Sequence, residues 1–109
     1  MNVGRATPSN SSYSIGNVTT LELNMGKYSV MGDVMLERSR QDAKWGEQNH
    51  GHFTWLAVLG EEVGEANQAA LKAHFGGKEW AHYREELIQV AAVAVAMVEC
   101  LDRHGGKPE

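Results

Sequence analysis

From residue 33 onward the hydrophobic positions of this chain recur with a helical period. Leu56, Leu59, Val63, Ala66 and Ala70 are spaced to line one side of an α-helix. Thr54 is a good N-cap for it, and Gly76-Gly77 is a stop signal, which predicts a helix running to about Phe75. The next helix is expected from near Lys78 to about Arg103, ahead of Gly105-Gly106. Its centre, Val90 to Val98, is apolar all the way round and predicts burial on more than one side. β-Branched residues there suit a strand, but the alanines, the length and the lack of breakers favour a helix. Upstream, Asp33 can cap a helix that opens with Val34, Met35 and Leu36. It carries Glu37, Arg38, Arg40, Gln41 and Lys44 on a charged face and ends at Trp45-Gly46. Residues 47–53, with two histidines, read as a loop.

Residues 1–30 follow a different pattern. They are rich in Ser, Asn, Thr and Gly and lack an apolar stripe, with only a weak alternation over 17–24. A flexible arm or a short edge strand is expected there, followed by a helical domain over 31–105 and a flexible tail over 106–109. The fold class is therefore all-α: an antiparallel helical bundle whose apolar third helix is covered by dimerisation. A chain of 109 residues buries a limited share of its surface alone, and a homodimer or tetramer is an economical way to complete the core.

Charge and cysteine content narrow the function. A net charge of -4 and a pI near 5.7 argue against a duplex nucleic-acid binder, which needs a clustered basic face. The single cysteine, Cys100, excludes an intramolecular disulfide framework, fits a reducing compartment and reads as a packing residue. No basic-then-apolar leader opens the sequence, and Val90–Val98 is too short to cross a bilayer, so the expectation is a soluble cytoplasmic protein.

The chemistry lies in two acidic clusters, Glu61-Glu62-Val63-Gly64-Glu65 and Glu85-Glu86-Leu87-Ile88-Gln89. Helix positions three apart share a face, so Glu62 with Glu65, and Glu86 with Gln89, each direct two oxygen-bearing side chains one way. One such pair is usually a solvated face. Two pairs beside apolar stripes are different, because like charges at a bundle core are unfavourable without a cation between them. Oxygen donors suit Mg²⁺, with Mn²⁺ as a substitute, and magnesium held by a few carboxylates commonly recruits substrate phosphates.

These residues resemble the all-α nucleoside triphosphate pyrophosphohydrolases, the MazG-like group that includes dimeric dUTPases and dCTPases. That family's E-E-x-x-E segment is matched by Glu61-Glu62-Val63-Gly64-Glu65, and its E-x-x-D by Glu86-x-x-Gln89 with Gln in place of Asp. Upstream, Arg40-Gln41-Asp42-Ala43-Lys44-Trp45, His50 and Trp55-Leu56 resemble the first helix and the entry into the metal-binding helix, so the likeness covers roughly residues 34–103. The resemblance implies that Glu62, Glu65 and Glu86, with Gln89 as a neutral fourth donor, hold Mg²⁺. It further implies a bound water that attacks the α-phosphorus of a ribo- or deoxynucleoside triphosphate and releases pyrophosphate. Glu61 is the candidate for orienting or deprotonating that water. Trp45 is the candidate to stack on the base, with Gln41 and Lys44 as base and phosphate contacts. Arg84 is a candidate phosphate contact whose alternative is an ion pair on its own helix. Trp55 and Trp80 read as packing residues, and His74, His82 and His104 as surface ones.

Gln89 removes one anionic ligand and so weakens metal binding. That motivates an alternative function on the same fold, a nucleotide-sequestering protein with reduced catalysis. A purely structural helical dimer is the third possibility.

Overall fold

The computed structural model describes residues 20–105, and they form three α-helices: α1, Thr20–Trp45; α2, His52–Gly76; and α3, Trp80–Arg103. The chain divides inside α1, between Gly32 and Asp33, into two units. In the first unit the helix is already formed at Thr20, so residues 20–30 are helical where an arm or strand was the expectation. Residues 1–19 and 106–109, the rest of the expected arm and the tail, lie outside the described residues. Asp33 consequently caps nothing. It sits within α1, and its carboxylate accepts a 2.7 Å hydrogen bond from Arg84 Nη2.

In the second unit α2 starts at His52, ahead of Thr54, and its N-cap is Gly51 in an extended conformation with no side-chain cap. The loop is therefore shorter than expected, Gly46 to Gly51. Gly77 ends α2 with φ at 71°, and the N–H of Lys78 reaches back to the Lys72 carbonyl at 3.2 Å, closing a Schellman-type terminus. This sharp stop and the short link to Trp80 make α2 and α3 antiparallel neighbours. Trp55 at the start of α2 meets Val93, Ala96 and Cys100 towards the end of α3, with Val58, Leu59 and Met97 packed around them.

Trp55, Leu59, Glu62, Ala66, Ala69 and Ala73 follow alternating steps of four and three along α2. Glu86, Gln89, Val93, Ala96 and Cys100 do the same along α3. That is a coiled-coil-like seam. Ala66, Ala69, Ala73, Ala92 and Ala96 are buried, and their small side chains let the two backbones approach. The seam is turned from the expected stripe: Leu59 and Ala66 belong to both, while Trp55, which packs inward as predicted, Glu62 and Ala69 take the places of Leu56, Val63 and Ala70. Leu56 is left 54% exposed and Val63 is also exposed. Within this chain the centre of α3 is buried on one side only: Ala92, Val93 and Ala96 are covered, while Val95, Val98 and Leu101 face outward. Trp80, expected to pack, is exposed and lies edge-on to Tyr83.

The part of α1 in this unit is tied to α3 at two places. Arg38 grips Glu99 through Nε at 3.0 Å and Nη2 at 2.6 Å, and Arg84 of α3 grips Asp33. Val34 is buried between these points along the helix. Arg103 holds the connecting loop through the Asn49 side chain and the Gln48 carbonyl.

The left-handed conformation at Gly77 gives a direct test. A residue with a β-carbon there should cost about 1–2 kcal/mol, so Gly77→Ala should lower the thermal unfolding midpoint. Gly60→Ala, in helical backbone with open space where the β-carbon would go, should raise it. Equal midpoints would contradict the terminus described.

Candidate metal centre

Two of the carboxylates owe their positions to the seam. Glu62 occupies an α2 position that would ordinarily hold a leucine, and Glu86 occupies an α3 seam position. Glu65 follows Glu62 by three residues on α2. One carboxylate oxygen from each of Glu62, Glu65 and Glu86 lies within 4.8 Å of the others. Glu86 is only 8% exposed, Glu62 is half-buried and Glu65 is exposed. Among the described residues, the buried side-chain atoms lacking a hydrogen-bond partner are Glu62 Oε1, Glu86 Oε1 and Trp55 Nε1.

Burial pushes the Glu86 carboxyl above its usual range, and the neighbouring Glu65 carboxyl pushes it further, against the opposing pull of His82. Burial also raises Glu62, followed by the negative charges of Glu65, Glu86, Glu61 and Glu37. Desolvated carboxylates that converge without donors are costly to keep ionised. A hard cation relieves burial and repulsion together, and an all-oxygen donor set is the kind that magnesium and manganese accept. This three-glutamate cluster can hold a metal ion.

Gln89 lies one helical step beyond Glu86 and is half-buried. It lines a cavity of about 560 Å³ between α1 and α3, together with Arg84, Arg40, Glu37, Leu36 and Ile88. Arg84 is thus beside Gln89, but its partner is Asp33 of α1 rather than a glutamate of its own helix. Gln41 accepts a hydrogen bond from Arg38 at 3.1 Å and donates to Glu37 at 3.4 Å, and it lines a separate polar cavity of about 300 Å³ with Arg38, Asp42 and Glu99. Lys44 and Trp45 are exposed and turned to each other, the ammonium 4.6 Å from the ring centroid. Glu61 is exposed.

Three residues near the carboxylates carried no signal as isolated side chains. Glu37 binds Arg40 at 2.6 Å, and the charge of Glu37 contributes to raising the Glu62 carboxyl. His82 places Nε2 3.9 Å from Glu86 Oε2. The usable signal was spacing: His82 precedes Glu86 by one helical turn.

Fold and site together define an all-α protein whose two-helix seam carries a carboxylate cluster able to hold a metal ion. No family model matches this chain, nor does any curated protein or solved structure. No helix among the described residues is long and apolar enough to cross a membrane.

The raised carboxyls set the sign of a pH effect. Each binds its proton more tightly folded than unfolded, so their protonation stabilises the fold. This contribution is fully present below the unfolded value, near 4.5, and is lost as pH rises through the raised folded values. In EDTA, lowering the pH towards 4.5 should therefore stabilise the wild type more than Glu86→Gln. Glu37, whose carboxyl is held low chiefly by its hydrogen bond from Arg40, acts in the opposite sense and only below that window. Parallel melting-temperature profiles for the two proteins would show that Glu86 is not strained.

Proposed function

We propose that this protein is a magnesium-dependent pyrophosphohydrolase that converts ribo- or deoxynucleoside triphosphates to the monophosphate and pyrophosphate. The observation that carries this reading is the convergence of Glu62, Glu65 and Glu86 from two helices, with two buried unpartnered oxygens. A cavity lined by both arginines and apolar side chains begins at the neighbouring Gln89. The sequence resemblance to the MazG-like group supports the same reaction.

Glu62, Glu65 and Glu86 would hold the ion, with the Gln89 amide oxygen as a neutral donor. Bound there, Mg²⁺ supplies charge neutralisation on the triphosphate and an acidified water. Glu61, on the same helix as two of the ligands, orients that water or takes its proton. As water adds to the α-phosphorus, the bond from that phosphorus to the α,β-bridging oxygen breaks and pyrophosphate leaves. Arg40 and Arg84 steady anionic oxygens while keeping their carboxylate partners. Leu36 and Ile88 offer apolar surface to the nucleoside. Trp45, if it stacks on a base, must give up its Lys44 contact. A second copy of the chain covers Leu56, Val63, Val95 and Val98, giving a homodimer or a tetramer.

Gln89 favours a second reading, a protein that sequesters nucleotide with little turnover, because an uncharged donor holds the metal less tightly. Pyrophosphate release from a panel of ribo- and deoxynucleoside triphosphates with Mg²⁺ or Mn²⁺ separates the two. The expected result is metal-dependent release for one base or sugar class, lowered by about a hundredfold or more in Glu62→Gln, a loss of roughly 2.7 kcal/mol of transition-state stabilisation. Nucleotide-induced thermal stabilisation without release would select the sequestering protein, and neither signal would leave the structural dimer. Gln89→Asp should tighten metal binding in calorimetry. A gain in turnover would mark the native site as weakened, and a loss would mark Gln89 as part of a working one.

A further inference from the structure

The carboxylate cluster opens on a second side. A cavity of about 320 Å³ between α2 and α3 is lined by Glu65, Gln68, Ala69, Lys72, His82 and Glu86. Its walls follow from helical register. On α2 the side bearing Glu65 continues one turn on to Gln68 and Ala69, and a second turn on to Lys72. On the antiparallel α3, the side bearing Glu86 continues one turn back to His82. Both helices thus run from metal-ligating acceptors to hydrogen-bond donors in the same direction, away from Trp55. Glu86, buried and with one oxygen unpartnered, lines this cavity with Glu65, whereas the cavity against α1 reaches α3 at Glu85 and Gln89 on either side of it.

Charge distinguishes the two sides. In the cavity against α1, Arg40 is neutralised by Glu37 and Arg84 by Asp33. Among the described residues Lys72 has no ion-pair partner within 4.0 Å, so its full charge faces the second cavity's mouth. A divalent ion does not neutralise three carboxylates, still less the polyphosphate added to them, so the departing end of the ligand needs a further cation.

We propose that Lys72, with Gln68 and His82, forms the subsite for the pyrophosphate portion of the ligand, the nucleoside lying across the carboxylates on the α1 side. The inference rests on the pyrophosphohydrolase reading and adds a direction to it. Lys72 binds the two terminal phosphoryl groups and stabilises the negative charge that collects on them as the α,β bond breaks. The His82 ring N–H and the Gln68 amide donate hydrogen bonds. His82, a surface residue by sequence, gains this position only through the antiparallel pairing.

The test is titration calorimetry of the full-length chain with inorganic pyrophosphate in excess Mg²⁺. Wild type, Lys72→Gln, Lys72→Arg and Glu62→Gln are compared, and each is also titrated with nucleoside monophosphates. Lys72 is exposed, so its variants should fold. Loss of one charge-assisted contact should weaken pyrophosphate binding by about tenfold or more. Lys72→Arg should restore most of it, and monophosphate affinity should be unchanged. If wild type binds magnesium pyrophosphate and Lys72→Gln binds it equally well, the subsite is wrong while the parent reading stands. If Lys72→Gln weakens the monophosphate as much as pyrophosphate, the direction is overturned. If wild type neither binds magnesium pyrophosphate nor shows Glu62-dependent hydrolysis, both proposals fall together.

Discussion

The second unit of this protein is organised around carboxylates placed in a helix–helix seam. Glu62 and Glu86 occupy positions where α2 and α3 would otherwise bury leucine or alanine, and no donor reaches one oxygen of each. Trp55, Val93, Ala96 and Cys100 close the seam at one end, and Ala66, Ala69 and Ala73 let the helices approach at the other. Apolar packing on both sides holds together the two helices that carry the carboxylates. The fold thereby stores the repulsion and desolvation that a cation would relieve.

Helix α1 is held in a different way. Its contacts with α3 include Arg38 to Glu99 and Asp33 to Arg84, ion pairs of a class that contributes about 0–1 kcal/mol each when exposed. Such a clamp adjusts more readily than an apolar seam. One clamp, Asp33 with Arg84, borders the cavity containing Gln89, and the other, Arg38 with Glu99, borders the separate polar cavity. Arg40, Glu37, Gln41 and Arg38 form a continuous chain of hydrogen bonds between the neighbourhood of Glu62 and that of Glu99. A change of charge at the carboxylates is thus physically linked to one of the clamps.

Leu56, Val63, Val95, Val98 and Leu101 are exposed on the α2–α3 pair, and Leu56, Val98 and Leu101 line one apolar cavity with Trp55, Leu59 and Met97. Burying a side chain of this size is worth about 1.5–3 kcal/mol. An apolar face on a chain this small, with its core limited to one side of α3, fits the proposed pairing of two copies. Its composition also explains why the centre of α3 reads as apolar all the way round: one side serves the intramolecular seam and another remains outside it.

Sequence alone determined the helical class, the ends of α2 and α3 to within a few residues, and the three glutamates that cluster, because apolar periodicity, glycine stops and carboxylate spacing are local properties. Trp55 as a core residue was legible for the same reason. The start of α1 was not, since Thr20–Val30 lacks an apolar stripe and the capping potential of Asp33 looked sufficient. Tertiary structure decided the rest: it turned the seam from the expected stripe, moved Leu56 outward and brought Glu62 inward. It gave Arg84 a partner on another helix, and it carried Lys72 and His82 to the same cavity as Glu65 and Glu86. None of these could be read from spacing, because rotation about a helix axis is set by what packs opposite, and residues on antiparallel helices become neighbours only once their pairing register is fixed.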